Sequence, residues 1–185
     1  MNNHHLILGE LVDFITGETI TDTHDERYRQ KLAKILVTTK GYHKYNIKPR
    51  CNLLVKAADK SAIVTVDFKV ILNEKVCMIV KYAPGSLVTR HRPALAASRL
   101  IAPYQVPVVV VTNGEDTNIL DGSTGNITGY GFESIPSKAE LNDIVAKKHF
   151  DPVPINKAEI ESRIMYAYEV DGSCPCDNTI CRIKS

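Results

Sequence analysis

The run PVVVVTNGE constrains the fold of this chain more than any other stretch. Val108 to Val111 are four consecutive β-branched residues, bounded by Pro107 and by the turn pair Asn113-Gly114. A strand with one wet face alternates apolar and polar residues, so a run without polar positions predicts a strand buried on both faces. Ahead of it, SLVTRHRPALAASRLIAP reads as a helix, with Pro93 near its first turn and Pro103 after its end. Ahead of that, Val76 to Tyr82 reads as another apolar strand. A helix crossing between two such strands implies a mixed sheet flanked by helices. The expected fold class is α/β.

The other elements follow from periodicity, caps and turns. THDERYRQKLAKILVTT offers Asp22 and Thr23 as caps and carries Tyr28, Leu32, Ile35 and Leu36 at helical spacing. This predicts a helix over 25–39, stopped by Gly41. Residues 53–55 and 62–70 read as strands before 76–82, with LNEK as the hairpin between the last two. NILDGSTGNITGY reads as a polar hairpin. Ser137 and Glu140 form a capping box for a third helix, and Asn156 caps a fourth that carries Ile160, Ile164 and Tyr168. Residues 1–150 are expected to form one domain, with a C-terminal helix and cysteine-rich tail, 151–185, packed on it.

A formal net charge of +2 over 185 residues provides no global basic field, so nucleic-acid binding would need a local patch. No apolar run approaches the ~20 residues of a bilayer span. The start, MNNHHLILGELVDF, lacks the basic opening and long apolar stretch of a signal peptide. No membrane partner is expected, and the cytoplasm is the default compartment.

Three segments carry a family resemblance: DFITGETITDTHDERYRQKLAKILVTTKGY, VDFKVILNEKVCMIVKYAPGSL and APYQVPVVVVTNGED. Over roughly residues 13–131 the chain resembles the N-terminal domain of type I restriction enzyme R subunits, in a short stand-alone form. That domain is a branch of the PD-(D/E)XK nucleases, so the resemblance implies a restriction-endonuclease-like sheet. It also implies a site in which an aspartate and a glutamate hold Mg²⁺ while a lysine two residues past the glutamate positions water. Asp67 matches the aspartate. Counting back from Ala83-Pro84, the glutamate position holds Val80 and the lysine position Tyr82. Lys81 points to the opposite face and cannot substitute without a register slip. Lys69, two residues from Asp67, is the candidate replacement ammonium, and Glu26 matches a glutamate that relatives place near the metal. Helical rotation nevertheless sets Glu26 away from the Tyr28–Leu32–Ile35 stripe, toward solvent.

Two further clusters are candidates for binding. Arg90, His91 and Arg92 gather at a helix start, and Arg99, Lys69 and the KGYHK loop, 40–44, extend them as a patch for the DNA backbone; a solvated helix start with ordinary surface charges is the other reading. Cys174, Cys176 and Cys181 crowd the tail, and Cys51 is the natural fourth ligand of a zinc or iron–sulfur site. The arrangement is similar to that of iron–sulfur-stapled exonucleases of the same superfamily, although C-x-C-x4-C is tighter; unligated reduced thiols are the other reading. Three functions stay open at this point. The first is a nuclease-fold protein with a degraded motif that binds DNA or a partner without cutting. The second is a divalent-metal-dependent endonuclease with a rearranged site on Asp67, Lys69 and Glu26, and the third a cluster-bearing sensor.

Overall fold

The computed structural model describes residues 7–172 and 181–183. Strands β1 (Ile7–Val12) and β2 (Thr19–Thr23) form a separate antiparallel hairpin, and helix α1 (His24–Lys34) follows directly. Thr23 caps α1 by accepting the Glu26 N–H, and the helix runs on through a π-helical turn, Ile35–Thr39, before Gly41 adopts φ 73°. The helix expected over 25–39 is therefore present, with the second of its two cap candidates in use.

The main sheet comprises β3 (Ile47–Ala57), β4 (Lys60–Leu72), β5 (Lys75–Tyr82), β6 (Val108–Thr112), β7 (Thr117–Asp121) and β8 (Ile127–Tyr130) in that spatial order. A short β9 (Cys181–Ile183) pairs with the start of β4. All neighbours are antiparallel except β5 and β6, which are parallel and joined through helix α2 (Leu87–Leu100). This is the mixed α/β sheet that the valine run requires. Asn73 and Glu74 turn the β4–β5 hairpin with φ 48° and 64°, the two left-handed residues of a type I′ turn.

β6 separates two cores. Val108 and Val110 belong to the core beneath α1 and helix α3 (Lys138–Ala146), while Val109 and Val111 belong to the core beneath α2 and helix α4 (Ile155–Met165). Against β6, α2 turns Ala94, Ala96 and Ala97, small enough for helix and sheet to approach closely. The Ser137–Glu140 capping box is formed as expected.

Several local expectations are corrected. Pro93 lies in the second turn of α2, not near the first. β7 is buried rather than polar, because it is an interior strand between β6 and β8. α4 starts after Pro154, so Asn156 is inside it, and the buried face carries Glu161, Met165, Tyr166 and Val170. Ile160 and Tyr168, read as the apolar stripe, are exposed. No helix among the described residues is long and apolar enough to cross a membrane.

Candidate functional site

The site is built where β4 and β5 part. Their ladder ends at the pair Phe68–Val80, and β9 joins β4 only from Ile63. Side chains bridge the interval. Lys81 Nζ donates to the Thr65 carbonyl at 2.8 Å, and the Tyr82 N–H donates to Asp67 Oδ2 at 2.8 Å. β4 also turns over here: Ala62, Val64 and Val66 face one core, whereas Phe68, Val70 and Leu72 face the other. Opposite this point on β3, Arg50 has φ 48°, a left-handed conformation that is uncommon for a non-glycine residue and marks local strain.

Asp67 is 3% exposed. Its second oxygen accepts from Arg29 Nε at 2.6 Å, so both oxygens are engaged. Arg29 Nη1 also lies 3.5 Å from Glu26 Oε2, one helical turn back on α1, and the guanidinium sits 5.4 Å from the Tyr82 ring centre. Burial works against the Arg29 charge, but Asp67 and Glu26 more than offset it and hold the group protonated. The other Glu26 oxygen accepts from Arg50 Nη1 at 3.2 Å and Gln30 Nε2 at 2.9 Å. Arg50 Nη2 continues to Asp13 Oδ2 at 2.6 Å.

Asp13 fixes the hairpin end of this chain of charges. Its Oδ1 accepts the Ile15 and Thr16 N–H groups at 2.8 and 2.7 Å. Burial pushes its carboxyl up, but the Thr16 N–H, Arg50 and Gln30 outweigh that and hold it at about 2. Tyr82 ends the other side, donating its hydroxyl to Asp25 Oδ1 at 2.9 Å and stacking on Tyr28. Burial and then Asp25 push that phenol well above its ordinary value.

Of the three catalytic candidates, Asp67 and Glu26 are brought to one guanidinium and Lys69 is not; Lys69 lies instead near Cys51. Glu26 is buried, contrary to the expected solvent position. The buried stripe of α1 begins polar, Glu26 and Gln30, and becomes apolar only at Leu32 and Ala33, so a reading of apolar spacing passes over its first turn. Val80, at the expected glutamate position, is wholly buried in the core. Lys81 does point to the opposite face, where it is itself buried and lies 3.2 Å from Glu169.

Two arginines of the basic cluster on α2 share one internal carboxylate. Arg92 Nη1 and Arg99 Nη1 each lie 2.6 Å from one oxygen of Glu161, a buried residue of α4. His91 Nε2 is 2.9 Å from the Asn118 amide, and burial lowers its basicity. Arg90 Nε is buried with no hydrogen-bond partner among the described residues.

Cys174 and Cys176 lie outside the described residues. Cys51 is opposite Val66 on one flank of β4 and Cys181 opposite Ile63 on the other flank. Two strand spacings and a three-residue offset put their Cα atoms ~14 Å apart. The Cys51 thiol donates to the Lys48 carbonyl at 3.2 Å, and burial raises its pKa. Among the described residues no group of three or more His, Cys, Asp or Glu is placed to hold a metal ion.

The sequence reading missed Arg29, Arg50, Gln30 and Asp13 on one face, and Glu161 and Glu169 on the other. Two signals were available: Glu26 and Arg29 at the i,i+3 spacing of a helical ion pair, and Asp13 two and three residues before the N–H groups it caps. The partners across the fold had none.

No curated protein matches the chain, and no solved structure does. Residues 24–136, from the start of α1 to just before α3, match the family described as type I restriction enzyme R protein N terminus. That match spans more than half of the chain and includes α1, Asp67, the parted strands and α2, and on that ground the chain belongs to the type I restriction enzyme R protein N-terminus family.

Proposed function

We propose that this chain is a nuclease-fold protein whose carboxylate site is neutralised from within, and that it acts by binding DNA or a protein partner, not by cutting. The observation that carries the reading is Arg29 lying between Asp67 and Glu26, at 2.6 and 3.5 Å. In a PD-(D/E)XK site the charge between the carboxylates is a divalent metal. The residues here do not fit one. Mg²⁺ requires near-octahedral oxygen ligands at about 2.0–2.1 Å. The Asp67 oxygens instead meet a guanidinium and a backbone N–H, and Glu26 meets two guanidiniums and an amide. A dication placed beside Arg29 and Arg50 would be repelled by both. The absence of an acid at Val80 and of an ammonium at Tyr82 supports the same reading.

Supercoiled plasmid incubated with the protein and Mg²⁺ or Mn²⁺ tests this. The expected result is intact plasmid, with any association weakening as salt rises. One observation favours a second reading, a rearranged metal-dependent endonuclease: Asp67 and Glu26 converge on the same guanidinium. Nicking that requires Mn²⁺ and disappears in Asp67→Ala would establish the second reading and end the first.

A further inference from the structure

A groove of about 790 Å³ runs between α1 and the β1–β2 hairpin. Leu11, Phe14 and Ile35, all half-buried, form its apolar floor, and Lys31, Lys34 and Lys44 also line it, the Lys31 ammonium lying 5.2 Å from the Phe132 ring centre. These three lysines are exposed and have no carboxylate within ion-pairing distance among the described residues. The one acid in the wall, Asp13, is already joined to Arg50 and Gln30. In a chain with a net charge of only +2, this is a local concentration of positive charge without carboxylate partners over half-buried apolar side chains.

We infer that the groove is a docking site for an acidic segment of a partner protein that also carries apolar side chains. Charge complementarity selects the acidic character, and the floor selects the apolar one. Side chains that bury Leu11, Phe14 and Ile35 gain by leaving water, whereas a phosphodiester backbone must stay hydrated. A single-stranded nucleic acid would also need an open ring to stack on. The face of Phe14 is covered, with Lys44 Nζ 4.3 Å from its centre. The groove lies along α1 beside the hairpin, and the inference holds whether or not the chain cuts DNA.

Selection of a random dodecapeptide library on the immobilised full chain at low salt tests it. Enriched sequences are expected to interleave Asp or Glu with Leu, Ile, Val or Phe. Synthetic versions should bind the Lys34→Glu/Lys44→Glu variant about tenfold more weakly or worse, chiefly at low salt. Both lysines are exposed, so the variant should keep its fold, and its far-UV circular dichroism checks that. Enrichment without acidic bias, no enrichment, or peptides indifferent to the double substitution would each overturn the assignment. A single-stranded oligonucleotide that loses binding in the variant while peptides do not would make the groove a nucleic-acid site instead.

Discussion

The two faces of the sheet solve inverse electrostatic problems. Beneath α1, two guanidiniums, Arg29 and Arg50, sit among the carboxylates of Asp13, Glu26 and Asp67. Beneath α2, one buried carboxylate, Glu161, sits between Arg92 and Arg99. In each case the minority charge meets most of its partners across the fold; only Glu26 and Arg29 are a local i,i+3 pair. The first network lies within the matched residues 24–136 apart from Asp13, and joins helix, hairpin and sheet at the point where the strands part. The second uses a residue beyond the match to fasten α4 to α2. Charges that suggest catalysis or phosphate binding in the sequence thus do internal work on both faces. Each network has one more buried and one more exposed cation: Arg29 and Arg50 are 21% and 33% exposed, Arg99 and Arg92 12% and 37%.

The burial of the charge left behind orders the consequences of breaking each network. Arg29→Ala leaves buried Asp67 with only the Tyr82 N–H among the described residues and should cost about 3 kcal/mol, near the low end for removing one member of a buried ion pair. Urea denaturation measures it. If Arg29 stands in for a metal, Mg²⁺ or Mn²⁺ should restore part of the loss in this variant and leave the parent unmoved. A cation-insensitive variant would sever the analogy.

Acid should act on the α1 face through Asp13, held at about 2 against an ordinary 3.8. A lowered folded-state pKa contributes stability in full above the unfolded value and loses it as pH falls through the folded one. That contribution is about 2 kcal/mol. Denaturation curves between about pH 4 and pH 2 should therefore show falling stability, with a shallower fall in Asp13→Asn. An unchanged slope would mean that another carboxylate governs acid unfolding.

Glu161→Ala should cost about 2 kcal/mol: Arg92 can turn to water, but Arg99 is 12% exposed and keeps only the Gln105 oxygen among the described residues. The more telling measurement is binding. Freed from Glu161, Arg92 and Arg99 become available to phosphate, so affinity for a short DNA duplex at low salt should rise and its dependence on salt should steepen. Unchanged binding would remove α2 from the DNA interface.

Much of the scaffold was legible because it depends on local physics. Four valines without a polar interruption can only be an interior strand, and a strand, helix, strand succession with that composition makes a mixed sheet. Thr23 and Ser137 cap their helices because a side-chain oxygen three residues before an N–H needs no distant partner. The opposed faces of Val80 and Lys81 followed from the pleat alone. The α4 stripe was misread for the complementary reason. Glu161 and Glu169 look like surface acids until Arg92, Arg99 and Lys81 arrive from α2 and β5.

The candidate site divides in the same way. Sequence by itself determined that Asp67 lacks its expected glutamate and lysine neighbours, since residue identity at a strand position is enough to establish that. Only the tertiary structure decided what replaced them. Arg29 is 38 residues from Asp67, and Arg50 is 37 from Asp13. Whether a guanidinium meets a carboxylate, a metal or water depends on the packing of α1, the hairpin and β3 around one buried point. Burial raises the cost of an unpaired charge so steeply that the fold must bring the partners together, and apart from the i,i+3 pair Glu26–Arg29 that demand leaves no short-range trace in the chain.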